Sequence, residues 1–189
     1  FDISNGLFER YYHLPENPLS VANGSYTCIS PDLDGNVLIG TLGGLSIYNT
    51  MENNFNNYAY DINSPYGINN DFINSILADE EGNIWIGTER GGVNRFNTFQ
   101  NEFDYYVHIP GNHNSLSHNS VNSILEGSDM LWIGTAGGGL NKLNKKTGNY
   151  THFRNNPGDI NSLSSDFITS LLYDRNGNLW IGTWGSGVN

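Results

Sequence analysis

Ile84-Trp85-Ile86-Gly87-Thr88 is one of four stretches of this chain that end in Ile-Gly-Thr; the others close at Thr41, Thr135 and Thr183. Successive triplets are 47, 47 and 48 residues apart. A fixed period of that size marks one supersecondary unit copied along the chain, each copy burying its apolar faces against its neighbours. In the second copy, Phe72-Ile73-Asn74-Ser75-Ile76-Leu77 and Ile84–Thr88 are two β-branched or aromatic runs. Gly82-Asn83 between them supplies the positive φ of a tight hairpin. Gly91-Gly92 then turns the chain into Val93–Asn97, a third strand, and Phe103–His108 has the composition of a fourth.

The pattern runs through the chain. Outer strands are expected to begin at Phe8, Phe55, Phe103 and Tyr150, and innermost strands at Tyr26–Ser30, Ile73–Ala78, Val121–Glu126 and Ile168–Tyr173. Insertions and deletions fall only in turns, as strand registers fixed by packing require. Ile84 and Ile86 point to one face of their strand and Trp85 to the other, so each sheet must be covered on both sides. The expected fold is therefore all-β: a β-propeller segment spanning residues 1–189, built of about four blades, each a four-stranded antiparallel sheet. A linear β-solenoid fits less well, because its rungs are much shorter.

Composition narrows the partners. With 8 Lys+Arg against 19 Asp+Glu, the formal net charge is −11, which disfavours nucleic acid and acidic membrane surfaces. Only 14% of residues are charged, so Asn, Ser, Thr, Tyr and Gly make most of the polar surface, one suited to neutral polar ligands. The single Cys28 lies where the other copies place Ser75, Ser123 and Ser170, and reads as a small packed residue. No apolar run reaches the roughly 20 residues needed to span a bilayer.

The string Gly177-Asn178-Leu179-Trp180-Ile181-Gly182-Thr183, followed by Gly187-Val188-Asn189, resembles the two-component regulator propeller repeat. Its usual form is Gly-Asn-Leu-Trp-Ile-Gly-Thr, a short gap, then Gly-Gly-Leu-Asn-Arg with Tyr or Phe. The resemblance recurs at Gly82–Thr88 with Gly91–Phe96 and at Leu131–Thr135 with Gly138–Leu143. It is weaker at Gly35–Thr41, where Leu38 replaces the Trp and Ser46 the Asn. It implies the periplasmic sensor region of a bacterial, membrane-anchored histidine kinase, often a hybrid kinase, responding to oligosaccharides from polysaccharide breakdown. The kinase, the membrane helix and the immunoglobulin-like domain of such proteins are absent from this sequence, so the rest of the sensor is an implied partner.

The two ends look complementary. Residues 7–13 carry a fourth-strand pattern, whereas the last copy stops at the start of its third strand. Residues 7–13 are expected to complete the last blade of this chain or of another copy, giving a closed four-bladed ring or an eight-bladed homodimer, with an open arc as the alternative.

Several motifs reduce to turn chemistry or packing. Asp32-Leu33-Asp34-Gly35-Asn36 starts like a calcium loop but lacks the bidentate Glu, and the same turn recurs at Asp174–Asn178. The glycine runs have no following helix and no Lys for a phosphate cradle. Trp85, Trp132 and Trp180 repeat in register and read as core. Trp184 breaks the repeat, standing where the other copies have Leu42, Glu89 and Ala136, and an aromatic there can stack on a sugar ring. Glu89 and Arg90 are equally unmatched. His113, Asn114 and His118 lie in a long connection that shares a propeller face with these loops. The candidate ligand-binding residues are thus Glu89, Arg90, His113, Asn114, His118 and Trp184. Two histidines without a third ligand give no metal centre, and no cofactor is expected.

The reading that follows is a non-catalytic propeller fragment of a periplasmic sensor of a two-component system, without direct membrane contact. The alternatives are a polysaccharide lyase or glycosidase of the propeller type, whose paired carboxylates need only spatial proximity, and a scaffold that touches no ligand.

Overall fold

The computed structural model describes residues 3, 5–64, 66–98 and 101–189. Its strands are β1 (Tyr26–Pro31), β2 (Val37–Thr41), β3 (Gly44–Asn49), β4 (Asn54–Tyr58), β5 (Ile73–Ala78), β6 (Ile84–Thr88), β7 (Val93–Asn97) and β8 (Glu102–Tyr106). They continue with β9 (Val121–Gly127), β10 (Met130–Thr135), β11 (Leu140–Asn144), β12 (Tyr150–Phe153), β13 (Ile168–Tyr173) and β14 (Leu179–Thr183). Three antiparallel sheets have the meander orders β1-β2-β3-β4, β5-β6-β7-β8 and β9-β10-β11-β12, and β13-β14 starts a fourth. A bridge from Gly182 to Val188 begins the third strand of that last blade. The first strands of successive blades, β1, β5, β9 and β13, lie side by side, which puts them innermost.

One irregularity recurs in every blade and explains how the blades are joined. The register between the first two strands slips after Tyr26, Ile73, Val121 and Ile168, leaving Thr27, Asn74, Asn122 and Thr169 unpaired as bulge residues. A bulge re-aims its side chain, and three of these reach the next blade. Thr27 Oγ1 donates to the Ile73 carbonyl at 2.5 Å, Asn74 Nδ2 to that of Val121 at 3.1 Å, and Asn122 Nδ2 to that of Ile168 at 2.8 Å.

The core lies between blades, in three successive layers. Leu38 and Leu45 of the first blade pack with Ile68, Ile73, Ile84 and Ile86 of the second; Trp85 and Val93 pack with Leu131, Ile133 and Leu143 of the third; and Leu140 packs with Ile168 and Ile181 of the fourth. The glycine of Ile-Gly-Thr sets the spacing. A Cβ on Gly87 would stand 2.3 Å from Ser75 Oγ and 2.6 Å from Val121 Cγ1, so only glycine lets the third blade approach this closely.

The indole of the central strand has two solutions. Trp85 is 2% exposed and donates to Asp79 Oδ2 at 2.8 Å, within a turn where Asp79 also accepts the backbone N–H groups of Glu81 and Asn83. The third blade's shorter hairpin has no such aspartate, and Trp132 donates instead to the Tyr173 hydroxyl of the next blade at 2.5 Å. Asp32 caps its turn in the same way, accepting from Asp34 N, Asn36 N and Asn36 Nδ2, so the calcium-like motif spends its oxygens on N–H donors.

Residues 8–13 form no strand, because no third strand lies beside them to supply a ladder. Tyr11 instead packs on Tyr48 and Phe55, at ring-centroid distances of 5.1 and 5.5 Å. Tyr58 meets Phe96 and Phe103 of the second blade in the same manner. The segment therefore sits against the first blade where a preceding blade's outer strand would sit. Trp180, the counterpart of Trp85, is 50% exposed on the face of the last blade.

Candidate functional site

The threonine of each Ile-Gly-Thr builds the loop that follows it. Thr88 Oγ1 donates to the Gly92 carbonyl at 3.0 Å and accepts the Gly91 N–H at 2.9 Å; Thr41 and Thr135 do the same with Gly44 and Gly43, and with Gly139 and Gly138. Thr183 donates to the Gly187 carbonyl at 2.8 Å. A hydroxyl that is both donor and acceptor closes the turn without an ordered water.

The residue after that threonine is pinned as well. Leu42 N donates to Ser25 O at 3.0 Å, and Glu89 N, Ala136 N and Trp184 N donate to Phe72 O, Ser120 O and Phe167 O, each at 2.9 Å. Four equivalent positions are thus held by one backbone bond beside the start of each innermost strand, while their side chains run Leu, Glu, Ala, Trp. This is a fixed frame carrying variable groups, at the same end of every blade.

At this end the structure brings together four of the six candidate residues. Glu89 is half-buried, Arg90 is exposed, and no ion pair joins them among the described residues. His118 flanks the loop of the third blade, its Cβ only 2.7 Å from where a Cβ on Gly138 would lie, and its Nδ1 accepts the Ser120 N–H at 3.1 Å. Trp184 is 77% exposed. The residue that tethers it, Phe167, is 51% exposed, and its ring lies over Gly137 of the preceding blade. Phe72, the equivalent of Phe167 in an interior blade, is also open at 44%, so exposure at this position does not depend on the lack of a following blade.

The other two candidates lie elsewhere. Asn114 Oδ1 accepts the Tyr150 N–H at 2.8 Å, which ties the connection to the outermost strand β12. It performs the job that the main-chain carbonyls of Leu19 and Tyr66 perform for Phe55 and Phe103, and is a rim tie. His113 lines a cleft on this same rim, with His108, His152 and Arg154. Sequence reading missed Phe72 and Phe167, whose positions before an innermost strand look like ordinary strand starts.

Among the described residues no group of three His, Cys, Asp or Glu side chains is placed to hold a metal ion. Among the described residues no helix is long and apolar enough to cross a membrane.

Comparison with known proteins places this geometry. Residues 67–90 and 162–185, each running from the connection through the hairpin to the loop after Ile-Gly-Thr, match the two component regulator propeller family. These two stretches are similar to the repeat of that family. Both matched segments end in the loop that carries a candidate residue, Glu89 with Arg90 in one repeat and Trp184 in the other.

Among solved structures, the chain is similar to the extracellular domain of BT3049 of B. thetaiotaomicron, described as a hybrid two component system. The identity is 25% and the TM-score 0.79, over 95% of this chain and 25% of that one. It is also similar in fold to the extracellular domain of BT4673 of the same organism, described as a one component system, at 22% identity and a TM-score of 0.70, over 87% of this chain and 23% of that one. The computationally designed protein Ika4 shares the fold at 13% identity and a TM-score of 0.61, over 97% of both chains. The chain thus spans about a quarter of the length of the two natural structures. No curated protein matches it in sequence.

Proposed function

We propose that this chain is a non-catalytic recognition segment of a periplasmic sensor of a two-component system, and that it meets oligosaccharides released by polysaccharide breakdown at the end bearing Glu89, Arg90, His118, Phe167 and Trp184. The observation that carries the reading is the identical backbone tether at Leu42, Glu89, Ala136 and Trp184 beneath four different side chains. A scaffold that repeats its frame and varies only the group it presents is built for recognition. The exposed rings of Phe167 and Trp184 suit the flat apolar face of a pyranose, and the surrounding amides and hydroxyls suit its hydroxyl groups. Similarity to the extracellular domain of a hybrid two component system supports the sensor assignment.

The non-catalytic reading draws support from where the carboxylates are spent. Asp32, Asp79 and Asp174 cap hairpins, and Asp71 and Asp166 accept the backbone N–H groups of Tyr60 and Asn155 in the blade connections. The remainder of the sensor is the natural partner, and binding signals by favouring one arrangement of the whole receptor over another. Calorimetry with polysaccharide digests, run on this chain and on the longer extracellular region, tests the proposal. Heat with a saccharide and no product formed is the expected result; turnover of a glycan would overturn it.

A further inference from the structure

We infer that the outer rim of the third blade holds an oxyanion-binding cleft, formed by His108, His113, His152 and Arg154, which takes the carboxylate or sulfate of an acidic saccharide. The cleft has a volume of about 170 Å3, and none of its lining residues is acidic. In a chain with 19 Asp+Glu against 8 Lys+Arg, this gathers three of the five histidines around one arginine. No ion pair neutralises Arg154 among the described residues. Two carboxylates lie outside the cleft: Asp159 lines an adjacent cavity that shares His152 and Arg154, and Asp166, beside the Arg154 stem at Gly139, spends Oδ1 on the Asn155 N–H.

Two imidazoles are held in place by the backbone. The His108 Nδ1–H donates to the Leu116 carbonyl at 2.8 Å and the His152 Nε2–H to the Ser115 carbonyl at 2.9 Å, since a carbonyl can only accept. In the neutral ring the second nitrogen is then an acceptor, so the direct donors to an oxyanion are the Arg154 guanidinium and the His113 N–H, on walls that the two tied rings hold in place. His113 and Arg154 are exposed beside them, and a guanidinium fork matches a carboxylate or sulfate edge-on.

The repeat supplies an internal control on the structural explanation. At the position of His152, Asn57 and Tyr105 make the same tie to the connection, to the Ser20 and Gly67 carbonyls. At the position of His108, Asn155 ties to the Leu163 carbonyl and His13 to that of Val21. The position of Arg154 is Ala59 in the first blade and Val107 in the second, and that of His113 is Pro18 before the first blade and Ile160 before the fourth. The fold therefore needs a hydrogen-bond donor at two of these sites and no charge at any of them. Only the connection into the third blade gathers all four basic groups.

This inference rests on the saccharide reading above, and the test separates the two. A trigalacturonate, a neutral galactose trisaccharide and potassium sulfate alone are titrated into the wild-type chain, into a His113→Asn/Arg154→Gln double variant and into Lys146→Gln, with amide NMR to locate binding. All altered side chains are exposed, and thermal unfolding checks that each variant folds. The expected result is that trigalacturonate shifts the amides around residues 108–117 and 150–154, and that the double variant loses at least about tenfold in affinity, the scale of one charge-assisted hydrogen bond. Lys146→Gln, which removes an exposed cation from a hairpin outside both sites, should leave this binding unchanged. Equal binding of the neutral trisaccharide, or no loss in the double variant, would overturn the cleft and leave the saccharide reading standing. Binding of sulfate as tightly as trigalacturonate would mean an adventitious ion only and would overturn the saccharide assignment of this cleft. No saccharide binding anywhere would overturn both.

Discussion

Trp85 donates its indole N–H to Asp79 in the interior of the array, and Trp180 makes the same bond to Asp174, at 3.0 Å, in the open. The local chemistry is identical, and the next blade makes the difference. Lys145 reaches back from the third blade to within 3.4 Å of Asp79 Oδ2, while also bonding Glu126 Oε1 at 2.6 Å. The last blade's aspartate has no such cation among the described residues.

Asp79→Asn should therefore destabilise the chain far more than Asp174→Asn. Burial pushes the Asp79 carboxyl up, but the hydrogen bonds from Trp85 and Asn83 and the charge of Lys145 together hold it below the ordinary carboxylate range. A group depressed in the folded state contributes its stability above its unfolded pKa, and loses it as pH falls through the folded value. At neutral pH, Asp79→Asn should cost about 2 kcal/mol in urea unfolding, because one buried oxygen that accepts N–H groups becomes an N–H donor with no acceptor, while Lys145 keeps Glu126 as its partner. Below the carboxylate range the variant and wild type should converge. Asp174 is held at about 2 by Trp180 and Asn178, but with no following blade it stays in contact with solvent, and its variant should change the midpoint only slightly.

Gly87→Ala tests the spacing between blades. Its new methyl must displace Ser75 Oγ and Val121, and overpacking of this kind costs about 1–3 kcal/mol. Gly158→Ala, whose Cβ meets nothing closer than 3.5 Å, is the control and should leave the unfolding midpoint in place. Equal effects of the two substitutions would remove the spacing role.

Thr88→Val keeps the shape and removes the hydroxyl that closes the loop bearing Glu89 and Arg90. Leaving the Gly91 N–H and one Gly92 carbonyl bond unmet should cost about 1–3 kcal/mol. Amide exchange at Gly91 should accelerate more than at Ile76, in the neighbouring innermost strand. Uniform acceleration would mean that the threonine serves the whole blade and not the loop.

The blade was legible in the sequence wherever the determinant was local: the hairpin at Gly82-Asn83, the two-faced Ile84-Trp85-Ile86 strand, and the Asp32 and Asp174 turns all depend on residues within a few positions. Contacts between copies were not. Nothing near Trp132 announces that Tyr173, 41 residues on, takes its indole proton. Lys145 gives no sign that it crosses to Asp79. Asn114 looked like a ligand group because it sits in a long polar connection, yet its amide oxygen replaces a backbone carbonyl for Tyr150. His113 was singled out without its neighbours in the cleft, because His152 of β12 and Arg154 just after that strand lie about forty residues away. Glu89, Arg90 and Trp184 stand out in the sequence because they break a repeat whose neighbours are fixed, a signal that needs no knowledge of contacts.

Neutral saccharide recognition is proposed here for the loops that follow Ile-Gly-Thr. The direct test is amide NMR of the chain titrated with the neutral oligosaccharide that gives the strongest calorimetric response among polysaccharide digests. Shifts concentrated at residues 89–90, 118, 167 and 184, abolished by Trp184→Ala and unaccompanied by product, are predicted. Shifts confined to the outer strands or the Asp79 hairpin side, or cleavage of the glycan, would contradict it.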